Sequence, residues 1–287
     1  MLCVFKQLWK NRYLSVPENR LPIFTVCESI KPISHIQFED SESLLETAFE
    51  WLNGFECSHS MRNMGHFPLL STYRAERPFF ESPRANVDLN TQLIEQLAHG
   101  ATPLVLTNCH ETLLTLLPSL LIDSQQVGVI NINTEFLMDP TLEIKTGSML
   151  HFALNRYDEC RAFHIGVDPV RSHKKQWDYA EDMGCDWATL NELCYRNRGM
   201  IKSQVSRFIH HCDKIIVTID LPSISKTTSK LKGQKLELSM VLRVLRQCMS
   251  SKKAILIQLV GSEEEHIYSK ATQMLIEETS QFYYFSH

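Results

Sequence analysis

The chain has 287 residues, a net charge of −4, and hydrophobic and charged fractions of 44% and 22%. These are ordinary globular values, which exclude a disordered chain, a collagen-like fibre and a membrane bundle. There is no long Lys/Arg block and no apolar run of about 18 residues, so neither nucleic acid nor a membrane is expected as a partner.

In chain order, residues 1–45 read as an irregular N-terminal extension, rich in Pro and polar residues. The stretch from Met1 to Leu14 carries Lys6, Lys10 and Arg12 among its apolar residues. It lacks a signal-type apolar core followed by a cleavage site, so the cytoplasm is the expected compartment. Residues 42–53 fit either a helix or a strand, and residues 57–86, with Gly65, Pro68, Pro78 and Pro83, read as a loop.

From residue 88 the pattern becomes regular. Asp88 or Asn90 can cap a helix that runs to His99, with Gly100 just past its end. Residues 103–106 form a buried strand. Residues 110–122 form an apolar helix that Pro118 should kink or shorten. The reading continues with a strand at 127–132, a helix at 148–157, a strand at 162–167, a helix at 201–211 and a strand at 214–220. It ends with a helix at 236–249, a strand at 254–260 and a last helix at 263–282. Short apolar strands alternating with helices predict a single α/β domain over residues 1–287, a mainly parallel sheet between two helical layers.

Nine cysteines, an odd number with no C-x-x-C pair, read as reduced thiols and give no zinc framework. Ligand sites of parallel sheets lie beyond the carboxyl ends of the strands. That rule selects Thr107 to His110, Asn133 to Asp139 and Asp220 to Ser223. Cys109, beside His110 at a helix start, has two readings, a nucleophile or a buried thiol. Asp220 likewise reads as a metal ligand or as a cap for nearby backbone amides.

Those segments resemble the ureohydrolases (arginase, agmatinase and formimidoylglutamase), the last most closely. The family pattern is a glycine-rich loop ending in His, then D-A-H-x-D, then [ST]-x-D-x-D. Here Thr107-Asn108-Cys109-His110-Glu111 stands at the loop, Asn133 to Leu137 at the second motif and Thr218 to Pro222 at the third. Gly54-Phe55-Glu56-Cys57, with Arg62-Asn63-Met64-Gly65, is similar to a family stretch near the substrate, and Gly147 falls in a matching S-G-T-P-F position. The resemblance implies an arginase-like three-layer fold and substrate contacts from Arg62, Asn63 and Gly147.

It also implies a pair of manganese ions sharing a hydroxide that cleaves a guanidinium or formimino C–N bond, held by two His and four Asp. Carried over position by position, His110 and Asp220 match. Asn133, Glu135, Leu137 and Pro222 replace an Asp, a His, an Asp and an Asp. Gln258 stands at the family's late acidic position. Leu137 and Pro222 offer no donor atom, and two divalent ions in close approach need several carboxylates between them. A manganese pair is therefore not expected, and a single ion on His110, Glu135 and Asp220 is the remnant reading.

The functional expectation is an inactive or weak formimidoylglutamase-like homologue that binds or regulates. It is expected to take a small glutamate-like ligand and to assemble as a homo-oligomer. The alternatives are an active hydrolase of a linear amidine or guanidine, and a non-catalytic subunit partnering an active paralogue. The chain is also short of glycine, with ten in 287 residues, and the glycines absent from 107–109 account for part of that.

Overall fold

A computed structural model describes residues 20–70, 87–121, 126–224 and 235–285. The strands are β1 (Leu21–Ser29), β2 (Met61–Leu70), β3 (Leu104–Thr107), β4 (Val127–Ile132), β5 (Cys160–Val167), β6 (Asp186–Thr189), β7 (Lys214–Asp220) and β8 (Ala254–Val260). They form one sheet in the order β2-β1-β3-β8-β7-β4-β5-β6, and every neighbouring pair is parallel. The helices are α1 (His35–Leu52), α2 (Val87–Ala98), α3 (Thr112–Leu120), α4 (Met149–Arg156), α5 (Lys174–Asp182), α6 (Arg198–His210), α7 (Leu221–Ile224), α8 (Leu238–Ser250), α9 (Glu264–Ile267) and α10 (Lys270–Phe285).

Successive side chains of a strand point to opposite faces, so an all-apolar strand serves two cores at once. Leu104, Leu106, Ile130, Ile132, Ile215 and Val217 pack into one core with α1, α6, α8 and α10. Val105, Val127, Val129 and Ile216 pack into the other with α2, α3, α4 and α5. The result is the expected three-layer α/β/α arrangement.

Three strands depart from the sequence reading. β1 lies within the extension read as irregular. Pro22, which argued against a strand, precedes the first β3 rung at Ile23–Leu104, so its missing N–H breaks no bond to that neighbour. β2 occupies part of the segment read as a loop, of which residues 71–86 lie outside the described residues. Gly65, at φ +113°, sits where the β1–β2 register slips between Ile23–Asn63 and Thr25–His66. That glycine and Pro68 thus mark a bulge and an exposed position on an edge strand. β6, the other edge, is only four residues long, and it was missed together with the polar α5 before it.

The remaining differences are small. Residues 42–52 belong to helix α1, and Asn53 caps its end. Pro118 lies near the end of α3, which begins at Thr112, so His110 precedes the helix instead of opening it. The expected last helix breaks at Ser269, whose hydroxyl accepts from Thr272 N and caps α10. Among the described residues no helix is long and apolar enough to cross a membrane.

Candidate functional site

The carboxyl ends of β3, β4 and β7 converge on His110, which is 7% exposed. Its Nε2 lies 3.1 Å from Asp220 Oδ1, and its Nδ1 lies 3.4 Å from Thr218 Oγ1. A neutral ring satisfies both contacts by donating from Nε2 and accepting at Nδ1. The Asn133 amide nitrogen lies 3.3 Å from the same Nε2.

The other oxygen of Asp220 is also committed. Ser223 donates to Oδ2 from its hydroxyl at 2.5 Å and from its backbone N–H at 3.0 Å. The Ser223 hydroxyl in turn lies 3.2 Å from Thr134 Oγ1 and 3.4 Å from Asn133 Oδ1. Asn133 Oδ1 accepts from Glu135 N at 3.0 Å. The cluster is thus a network that engages both oxygens of Asp220, while the Asn133 NH2, a donor facing a ring nitrogen that itself donates, makes no hydrogen bond to it.

The other family positions add no ligand. Glu135 is exposed, and Pro222 is half-buried in the one-turn helix α7, where a proline's missing N–H costs nothing. Leu137 is buried in the core at φ +54°, a left-handed backbone that leucine rarely adopts and that Asp, Asn and Gly adopt readily. Among the described residues, the donor atoms of His110, Glu135 and Asp220 do not gather closely enough to share an ion. The one trio that does is Glu263, Glu265 and His266. The donor set therefore fits neither a manganese pair nor the single-ion remnant.

Two buried acids support this edge, Glu111 of the first motif and Glu28, which the sequence reading did not single out. Glu111 Oε1 accepts from the backbone N–H of Gly147 at 2.8 Å and of Ser148 at 3.1 Å. Gly147, at φ +91°, thus has its N–H already engaged. Burial raises the Glu111 carboxyl above its usual range, with His110 opposing. Glu28, at the end of β1, accepts from Thr115 Oγ1 at 3.2 Å, and burial pushes its carboxyl up to about 7. Asn108 bridges Glu28 N and O at 2.8 and 2.9 Å, and Gln258 Nε2 donates to the carbonyls of Cys109 and His110 at 3.3 Å each. Asn108 and Gln258 therefore hold the β3–α3 turn in place.

Glu28 carries a pH signature. Its carboxyl is raised in the fold, so its contribution to stability is present at low pH. That contribution is lost as pH climbs from about 4.5, where the unfolded group ionises, through about 7. Relative to Glu28→Gln, the native chain should lose on the order of 3 kcal/mol of stability over that range. Denaturant unfolding of both proteins at pH 4.5 and pH 8 checks this, and a difference that does not change with pH contradicts it.

Cys109 is 4% exposed. Burial, together with the carboxylates of Glu28 and Glu111, raises its thiol well above the ordinary range, which leaves no thiolate for a nucleophilic role. Arg62 and Asn63 are exposed and open β2, pairing with Pro22 and Ile23 of β1. They lie at the amino edge of the sheet, opposite the end that carries His110 and Asp220. The structure does not bring them to the cluster.

No family model matches the chain. A segment of 93 residues is 29% identical to a formimidoylglutamase from Staphylococcus carnosus (strain TM300), covering 32% of this chain and 30% of the relative. A segment of 96 residues is 28% identical to a formimidoylglutamase from Staphylococcus aureus (strain MSSA476), covering 33% and 31%. The matched segment thus spans less than a third of either relative. Among solved structures, an arginase from Bacillus subtilis superposes with TM-score 0.69 at 13% identity, over 91% of this chain and 98% of that one. A formiminoglutamase from Trypanosoma cruzi, solved with manganese, gives 0.64 at 12% identity, over 93% of each chain. These likenesses establish the arginase-like fold.

Proposed function

We propose that this chain, a ureohydrolase relative in fold and in part of its sequence, does not carry out the two-metal hydrolysis of that family and serves as a binding or regulatory homologue. The observation that carries this reading is the closed network on Asp220. Both oxygens of the one matching carboxylate are taken by His110 and Ser223. Three hydrogen bonds occupy three of the carboxylate's roughly four lone-pair sites, whereas a bridging ligand needs at least two for cations, and the site has too few carboxylates to hold two divalent ions against their repulsion.

Leu137 supports descent from a working site. Its left-handed backbone suits the aspartate the family places there, so the loop shape persists where the side chain has changed. The test is hydrolysis of N-formimidoyl-L-glutamate by protein preincubated with manganese. The expected result is no release of formamide above the protein-free rate. Turnover that is lost in Asp220→Asn would overturn the reading in favour of an active amidine hydrolase.

A further inference from the structure

Beyond the end of β8 the chain turns through Gly261 and Ser262 into Glu263 and helix α9. His266 on that turn is 6% exposed, and neither of its ring nitrogens has a hydrogen-bond partner. Leaving such a ring unpaired is costly, so an unpaired buried imidazole calls for a partner. Its Nδ1 lies 3.9 Å from Glu263 Oε2 and its Nε2 lies 3.9 Å from Glu265 Oε1. Those separations are too long for hydrogen bonds. One imidazole gives a single nitrogen to a cation, and bonds of about 2.0–2.2 Å to nitrogen and oxygen place donors up to about 4 Å apart, so either nitrogen with the carboxylate facing it suits two ligands of one cation, the other exposed glutamate swinging in as the third. One donor atom from each of the three residues falls within 4.8 Å of the others.

The backbone here is held on three sides. Ser41 Oγ donates to the Ser262 carbonyl at 3.0 Å, Thr272 Oγ1 donates to the His266 carbonyl at 2.7 Å, and Gly261 N donates to the Thr107 carbonyl at 2.9 Å. At Gly261 an added Cβ would lie 3.0 Å from His266 Cβ, so the turn packs closely against the ring. A shallow open depression over Glu263, Glu264, Glu265 and Tyr268 gives access from solvent.

We infer that Glu263, Glu265 and His266 form a divalent transition-metal site, for which one imidazole and two carboxylates make a donor set suited to zinc, with water completing the coordination. The site is separate from the His110 cluster, and the inference does not depend on how that cluster is read.

The test is equilibrium dialysis of the full chain against zinc in the presence of a non-thiol reductant, with Glu263→Gln/Glu265→Gln as the main variant. Both glutamates are exposed, so this variant should fold. The inference predicts one zinc per chain, bound at least tenfold more weakly by the double variant and unchanged in Asp220→Asn. Three results would overturn it: no zinc bound by the wild type, equal binding by the double variant, or loss of zinc in Asp220→Asn alone. The last result would place the metal on the His110 cluster, and so would also count against the proposed function.

Discussion

Replacing Asp220 by alanine is expected to destabilise the fold by roughly 3 kcal/mol. The carboxylate accepts from the His110 ring and from both the hydroxyl and the backbone N–H of Ser223. Hydrogen bonds to a charged acceptor contribute about 1.5–3 kcal/mol each when measured singly, and removing the acceptor takes the partner from three donor groups. The three bonds share one group, so their losses do not add. Denaturant unfolding at pH 7 checks this. A carboxylate kept for catalysis behaves differently, because groups arranged around a reactive centre commonly cost stability, and removing one is then neutral or stabilising. An Asp220→Ala chain as stable as the wild type would mean that the network is not structural.

The second large effect runs in the opposite direction. Asn133→Asp, Glu135→His, Leu137→Asp and Pro222→Asp together restore the six-ligand pattern around His110 and Asp220. This variant should bind two manganese ions per chain, and the wild type is expected to hold none at these positions. Without metal it should be markedly less stable, because aspartate at the buried position 137 and carboxylates gathered at one strand edge repel each other. Manganese should then raise its melting temperature, since a ligand bound only by the folded state stabilises it. Leu137→Asp is eased by a backbone already at φ +54°. If the fourfold variant does not fold, the threefold variant lacking Leu137→Asp provides the same readout with a weaker gain. A folded variant that binds no manganese would refute the assignment of these positions.

What was legible in the sequence follows from the physics of a two-sided sheet. Central strands are buried on both faces, so β4, β5, β7 and β8 show as mostly apolar runs whose ends can be read to within a residue or two. Edge and near-edge strands can tolerate Pro, Gly and polar residues, so β1, β2 and β6 carry the marks of loops. The strand-end rule placed His110, Asn133 and Asp220 together, because all three follow central neighbours in one parallel sheet. Thr134 and Ser223 fall inside the selected strand-end segments and Thr218 inside the third motif, but their part as hydrogen-bond partners in the network was not legible. A hydroxyl's role is set by where it sits in space, and serine and threonine are common everywhere.

The misplacement of Arg62 and Asn63 has a simple cause. All strands of a parallel sheet run the same way, so residues that open a strand lie at the edge opposite those that follow one. With β2 unrecognised, nothing in the sequence showed that Arg62 opens a strand. Glu28 was passed over, and Glu111 was read only as a motif position, because a lone carboxylate in a sequence gives no sign that it will be buried. His266 lies in a run of three glutamates that reads as a solvated turn, and only its burial against Gly261 distinguishes it.

The most direct test of the central claim is manganese titration of the unmodified chain alongside Asp220→Asn, with bound metal counted by elemental analysis after dialysis. The closed network on Asp220 predicts the same manganese content in both proteins. Two manganese ions per wild-type chain, both lost in Asp220→Asn, would contradict it and restore this chain to the working hydrolases.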